Sequence, residues 1–310
     1  MRVCLVVNPQ SGHGATRRRL PAIQRAVARH AEVTVKTTLA AGDGQRCARE
    51  ACDEGFDRVV AVGGDGTVHE VVNGLFDGTT PRRPEVVLGV IHGGTGGDFV
   101  KSLRVPADLD EAARLATTAE PRPVDLMSIH YVDHDGHDAH RLCVNVLGFG
   151  MNGEVVRLAN RSSKRLGGRL TFAGATLRAL ASYRPPQVTV RSKGPDGDDE
   201  WTGPLTSAFF ANGHYCGGGM WVGRGGALDD GWVEQTIVPD LPIARAILAT
   251  PHLYRGTAGD VKGVSRRQVS EVVAEAADGS IVLVDLDGEQ PGRLPLRMSV
   301  LPKAVLVAML

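Results

Sequence analysis

The sequence predicts an α/β chain in two parts: an N-terminal parallel-sheet domain and a C-terminal β-sandwich domain. Three observations predict this. Short apolar runs alternate with helical patterns through residue 91. Glycine-rich turns follow three of those runs. Beyond Pro121 and Pro123 the pattern changes to short strands separated by Gly, Asp and Pro turns. Alternation of strand and helix favours a parallel sheet with helices on both faces, and serial short strands favour a sandwich.

Residues 3–7 form an apolar run that Asn8-Pro9 ends, a buried strand followed by a turn. Leu20, Ile23 and Val27 fall at helical spacing within residues 16–30. Residues 33–36 read as a strand, 45–54 as an Ala-rich helix, and 59–62 as the next buried strand. Residues 67–76 carry Val68, Val71, Val72 and Leu75 on one helical face, and 86–91 form a further strand. In the second part, strands are predicted at 126–132, 141–146, 187–191, 205–211, 233–238, 268–274, 281–284 and 296–300. One clear helix, 170–182, interrupts them, and residues 193–199 read as an exposed hairpin loop. The expected domains are 1–125 and 126–300, with 301–310 free to return to the first.

Composition narrows the function. Apolar content is 42% and charged content 23%, ordinary for a globular protein. Lys+Arg and Asp+Glu both number 35, so no global basic field exists to recruit nucleic acid. Any attraction to a membrane must be local. Five scattered cysteines without a C-x-x-C pair argue against a disulfide framework or zinc site and for a reducing cytoplasm. No apolar run approaches the roughly 18 residues of a membrane span.

The three turns are residues 8–14, 63–67 and 93–98. In a parallel sheet the carboxyl ends of the strands share one edge, where ligands bind. Glycines let backbone N–H groups approach a polyphosphate closely, and the helix starting at Thr67 adds its positive end. Any single glycine turn is more often a plain turn, but three at equivalent strand ends favour a phosphate site. Thr67 and Glu70 also spell T-x-x-E, a capping-box pattern. G-x-x-x-x-G-K-[ST], the protein-kinase H-R-D and D-F-G pair, and a G-x-G-x-x-G after the first strand are all absent.

These residues resemble one family. Gly63-Gly64-Asp65-Gly66-Thr67-Val68-His69-Glu70-Val71 resembles the G-G-D-G-T-x-x-E-V signature of diacylglycerol, sphingosine and ceramide kinases. Asn8-Pro9-x-Ser11-Gly12 and Gly94-Thr95-Gly96-Gly97-Asp98-Phe99 resemble its other two turns, and Val124-Asp125-Leu126 its domain junction. Asn212-Gly213, Gly217-Gly218-Gly219-Met220, Leu228-Asp229-Asp230-Gly231 and Asp287-Gly288-Glu289 resemble its later segments, in the family's order. NAD kinases and phosphofructokinases carry turns like the second one, and the resemblance implies a first domain of their type. The later segments favour the lipid kinases.

The resemblance implies ATP as donor, Mg²⁺ as cofactor and a lipid hydroxyl as acceptor. It places nucleotide against Asn8, Pro9, Gln10, Ser11, Gly12, Thr38, Gly64, Asp65, Gly66, Thr67, Glu70 and Thr95. It makes Glu289 the candidate general base and gives Asp65 a catalytic role, holding Mg²⁺ or orienting the hydroxyl. Asp98 and Asp125 are candidates for positioning. A structural metal maps onto the Asp230 carboxylate and the carbonyls of Ala227 and Trp232, oxygen ligation suited to Mg²⁺ or Ca²⁺. Diacylglycerol is the default acceptor, with phosphatidic acid as product. Sphingoid bases, ceramide, a soluble NAD-kinase-like substrate and a non-enzymatic sensor stay open. Gly97, His13 and Asn152 depart from the family's usual Asn, Lys and Asp. Arg161, Lys164, Arg165 and Arg169 precede Leu170, Phe172 and Leu177, equally a solvated face or a patch for peripheral contact with the inner face of the membrane.

Overall fold

A computed structural model describes residues 1–93, 97–161, 183–223, 226–241, 251–252, 254–277 and 279–310. The chain divides into two compact units, Met1–Leu126 with Pro302–Leu310, and Met127–Leu301.

The first unit begins with β1 (Arg2–Val7), α1 (Ser11–Ala28), β2 (Glu32–Thr37), α2 (Asp43–Asp53), β3 (Arg58–Gly63) and α3 (Asp65–Gly74). A small hairpin of β4 (Phe76–Asp77) and β5 (Thr80–Pro81) precedes β6 (Val87–His92). Helices α4 (Asp98–Ser102) and α5 (Leu109–Thr118) follow. The strands pair in the order β2-β1-β3-β6, every ladder parallel, and Leu306 and Val307 add a parallel pairing to Val87 and Leu88. All six residues of β3 are buried. A strand covered on both faces needs a continuous apolar run rather than alternation. On one face Val3, Leu5, Val7, Val60, Val62 and Ile91 pack against Ile23, Ala26 and Val27 of α1 and Ala113 and Ala116 of α5. Cys4 points the other way, beside Cys47 and Lys36, and burial pushes its thiol up to about 12.

The second unit contains β7 (Pro121–Asp133), which starts in the first, then β8 (Asp138–Cys143), β9 (Val146–Gly150) and α6 (Met151–Arg161). Next come β10 (Gln187–Gly194), β11 (Gly197–Ala211), the short pair β12 (Tyr215–Cys216) and β13 (Met220–Trp221), and β14 (Val233–Pro239). β15 (Ser265–Val269), β16 (Glu271–Ala276), β17 (Leu283–Leu286) and β18 (Glu289–Ala308) complete it. Among the described residues the ladders here are antiparallel, and β18-β17-β9-β11-β10-β16 returns to β18. β11 makes this closure possible. Its first half pairs with β10 and its second half with β9 and β14, with a register shift between Leu205 and Ser207. A bulge lets one long strand bend and change layers. The strands enclose one core that includes Met127, Phe149, Phe210, Val284 and Met298.

The parallel sheet stands in the first unit as expected, and the chain as a whole is rich in antiparallel ladders, which lie in the second unit. Other expectations need correction. Helices α4 and α5 escaped the sequence reading, although Asp108 accepts a hydrogen bond from Glu111 N (3.0 Å) in a plain N-cap. The helix 170–182 lies outside the described residues, and α6 is a further helix in the second unit. The 193–199 loop is a hairpin with a two-residue turn, Gly194 pairing with Gly197. Its Lys193 sits in a strand, where an exposed cross-strand ion pair with Glu271 (2.9 Å) suits it. The predicted strand 296–300 is the middle of β18, whose Pro291, Pro295 and Pro302 concealed its length.

Candidate functional site

In the first unit the three turns converge. Asn8 N donates to Val62 O (3.0 Å) and Gly93 N to Gly63 O (2.9 Å), so each turn leaves its strand beside the next. In the first turn Gln10 N donates to Asn8 Oδ1 (3.0 Å) and Ser11 Oγ to Asn8 O (2.9 Å). Gly12, His13 and Gly14 are all left-handed (φ 58°, 56° and 78°), which bends the chain before α1 proper. Thr16 escaped the sequence reading. Its buried hydroxyl donates to Gly93 O (2.8 Å) and contacts Ser11 Oγ. A Cβ on Gly93 would lie 2.1 Å from Thr16 Oγ1 and 3.2 Å from Gly63 Cα. Gly93 is therefore the point where all three turns touch, and no side chain fits there. Thr95 lies outside the described residues.

The second turn corrects the capping-box expectation. The N-cap of α3 is Gly64, with no side-chain cap, and Gly66 lies in the helix's first turn. Thr67 is buried with its hydroxyl over Gly63, where a Cβ would come within 2.2 Å. Glu70 reaches instead to a neighbouring helix: its Oε1 accepts from Gly42 N and its Oε2 from Gly44 N, both 2.8 Å. It thereby satisfies the open N-terminus of α2. That loop descends from Thr38, a buried residue whose N donates to Val7 O (2.9 Å) beside the first turn. Among the described residues, a Cβ on Gly64 would meet nothing within 4 Å.

Asp65 is tied to the third turn. Its Oδ2 accepts from Asp98 N (3.0 Å) and its Oδ1 from Phe99 N (3.2 Å), which caps α4. Asp98 is buried and accepts from Lys101 Nζ (2.7 Å). Asp125 is fully buried, and its Oδ1 accepts from Lys303 N (2.6 Å), so it clasps the returning C-terminal segment.

In the second unit Asp287-Gly288 is a two-residue turn, with Leu286 paired to Glu289. Glu289 is exposed. Asp285 Oδ1 accepts from Gly288 N (2.9 Å). Burial among the strands pushes the Asp285 carboxyl up to about 8; the Gly288 bond opposes this, and the Asp287 and Glu289 charges add to it. Asp287 is buried and accepts three backbone N–H bonds from residues 144–146. Asp285 also escaped the sequence reading, which quoted Asp287 within the closing D-G-E but gave a role to Glu289 alone. Asn152 Nδ2 donates to Ala208 O (3.2 Å).

Asp230 in the Leu228–Gly231 turn and the preceding Ala227 are exposed, and Asp230 Oδ1 accepts from Trp232 N (3.0 Å). One carboxylate with nearby carbonyls suits a hard cation that keeps several waters. Among the described residues, side-chain metal-ligand atoms gather in threes at Asp133, Asp135 and His137 instead. There Asp133 Oδ1 already accepts from Asp135 N (2.9 Å) and His137 N (2.8 Å) in a hairpin loop.

A parallel-sheet unit with three turns locked at one sheet edge, followed by a closed antiparallel unit, defines a two-domain α/β protein. Comparison with known proteins is specific. Residues 2–129 match the diacylglycerol kinase catalytic domain, and residues 145–309 the YegS C-terminal NAD kinase beta sandwich-like domain. A Pseudomonas aeruginosa (strain UCBPP-PA14) protein named "Probable lipid kinase YegS-like" is 30% identical over 99% of this chain and 93% of its own. The Bacillus subtilis (strain 168) protein named diacylglycerol kinase is 26% identical over 95% of this chain and 91% of its own. A solved structure from Bacillus anthracis str. Sterne, provisionally described as a diacylglycerol kinase, superposes with a TM-score of 0.79 at 25% identity, covering 100% of this chain and 95% of that one. This chain belongs to the diacylglycerol kinase and YegS-like lipid kinase family.

Proposed function

We propose that this lipid kinase transfers the γ-phosphoryl group of ATP to the hydroxyl of diacylglycerol, giving phosphatidic acid and ADP. The observation that carries the reading is the convergence of three turns on Gly93. The N-terminus of α3, set between the first and third turns, is suited to a polyphosphate. In this reading Asn8 to Gly12, Thr38, Gly64 to Thr67 and Thr95 line the nucleotide. Glu70 and Asp65 hold the α2 loop and the third turn in place. Mg²⁺ neutralises charge on the phosphates when bound, and the Asp230 turn holds a structural cation.

Glu289 accepts the proton of the attacking hydroxyl. The new bond joins lipid oxygen to γ-phosphorus, and the bond from γ-phosphorus to the β–γ bridging oxygen breaks, its electrons leaving with ADP. A carboxylate can serve as this base once it is positioned against the hydroxyl. The substrate is a membrane lipid, so the reading requires peripheral contact with the inner face of a membrane. Among the described residues no helix is long and apolar enough to cross one. The basic patch at Arg161–Arg169 falls on side chains outside the described residues.

A panel of diacylglycerol, sphingosine, ceramide and NAD, incubated with γ-labelled ATP and Mg²⁺, tests the reading. Label should appear in phosphatidic acid, and Glu289→Gln should abolish it. Label in NAD phosphate, or in no acceptor, would refute the assignment.

A further inference from the structure

We propose that Asp287 is a positioning residue for Glu289, acting through a backbone cradle at residues 144–146; this rests on the reading of Glu289 as the base. The turn alone does not require this carboxylate. Asp287 (φ 52°) and Gly288 (φ 90°) are both left-handed, as the central pair of a type I′ hairpin demands. Asn-Gly or Gly-Gly would satisfy that geometry equally well. Asp-Gly suits the turn too, and what sets the acid apart here is its contacts.

The Asp287 carboxylate is buried and faces away from the turn. Oδ1 accepts from Asn145 N (2.9 Å), Val146 N (3.0 Å) and the Cys143 thiol (3.0 Å), and Oδ2 accepts from Val144 N (3.1 Å). Burying an ionised carboxylate is unfavourable unless it is compensated in this way, and bonds to a charged acceptor are stronger than neutral ones. The cradle is the link between β8 and β9, and Asp287 N donates to Val146 O (3.1 Å) at the same place. On the other side of the turn, Asp285 Oδ1 holds Gly288 N (2.9 Å). The chain is thus fixed immediately before and at the residue preceding Glu289. An exposed glutamate on an unsupported hairpin would sample many positions. This one leaves a turn clamped on both sides, the support that a base needs to hold a fixed approach.

The test compares Asp287→Ala, Asp287→Asn, Glu289→Gln and the double variant Asp287→Ala/Glu289→Gln in the full chain, with diacylglycerol in mixed micelles. A misplacement of about 1 Å can cost about 100-fold in rate. Asp287→Ala should therefore lower kcat about 100-fold while the KM for ATP stays within about twofold. Asp287→Asn keeps one acceptor oxygen and the turn, and should recover part of the loss. The base limb of the pH–kcat profile should move to lower pH in both, because a negative charge near Glu289 is gone. The double variant should be no slower than Glu289→Gln, since a group acting only through Glu289 has nothing left to position.

Wild-type kcat in Asp287→Asn, or losses that multiply in the double variant, would overturn the inference while leaving Glu289 as base. Normal turnover by Glu289→Gln would overturn both. Should Asp287→Ala fail to fold, Asp287→Asn alone and combined with Glu289→Gln gives the same readings.

Discussion

Glu70 offers a measurement that separates clamping from nucleotide contact. Its two oxygens accept from Gly42 N and Gly44 N, each at 2.8 Å, at the N-terminus of α2. Hydrogen bonds to charged groups contribute about 1.5–3 kcal/mol when buried. Glu70 is half-buried, so about 1 kcal/mol per bond is the fair figure here. Its charge at a helix N-terminus adds about 0.3–1 kcal/mol. Glu70→Ala should thus destabilise the first unit by about 2–3 kcal/mol, an apparent Tm loss of about 4–12 °C for a chain of this size class. Glu70→Gln keeps one neutral acceptor and should lose about half as much. The loop that Glu70 holds descends from Thr38, so the KM for ATP should rise more than kcat falls. Differential scanning fluorimetry and steady-state kinetics on the three proteins read both effects. A Tm and an ATP KM unchanged in Glu70→Ala would refute the clamp. A KM rise without any Tm loss would point instead to direct nucleotide contact.

Two further predictions concern single groups. Gly93→Ala would place a methyl 2.1 Å from Thr16 Oγ1 and 3.2 Å from Gly63 Cα. It should cost about 1–3 kcal/mol in overpacking and weaken ATP binding, with nucleotide titration as the check; wild-type affinity would show that the turns tolerate separation. Asp285, pushed up to about 8 from an ordinary 3.8, gives a pH signature. Between those values the unfolded chain is ionised there while the folded chain keeps the proton, so the contribution is fully present below about pH 4 and is lost as pH rises towards 8. Asp285→Asn should therefore gain on wild type by up to about 1.4 kcal/mol per pH unit over that window and then level off. A difference in Tm between the two proteins that stays flat from pH 5 to 8 would remove this reading.

Much of the first unit was legible because its strands are buried on both faces. Residues 59–62 show this as an unbroken apolar run between polar flanks, and β3 is where the run predicts it. The placement of the turns followed as well, since parallel strands leave their carboxyl ends on one edge. What the local pattern could not show was the partner of each acid. Thr67 and Glu70 stand three apart, a spacing that serves a helix's own N-terminus or leaves the acid free for a neighbour. Only the packing of α2 beside α3 decides between these, and it decides for the neighbour. The same limit hid Thr16, whose hydroxyl matters because Gly93, far along the chain, comes to lie against it. In the second unit the obstacle was proline: a strand of 20 residues carrying Pro291, Pro295 and Pro302 reads as fragments.

The acids of the two signature segments divide by what they touch. Asp65, Glu70 and Asp287 each accept backbone N–H groups from a segment distant in sequence: the start of α4, the start of α2 and the link between β8 and β9. A neutral acceptor could fill those positions, but a carboxylate offers two oxygens and a stronger bond to each N–H. That matters at glycine-rich turns, whose backbones are otherwise the least constrained in the chain. The acids therefore supply rigidity where the glycines supply close approach. Glu289 differs in being exposed at the end of a turn that two other acids, Asp285 and Asp287, hold. An acid presented in that way suits proton transfer to a substrate from outside the unit, whereas its neighbours suit the work of holding it there.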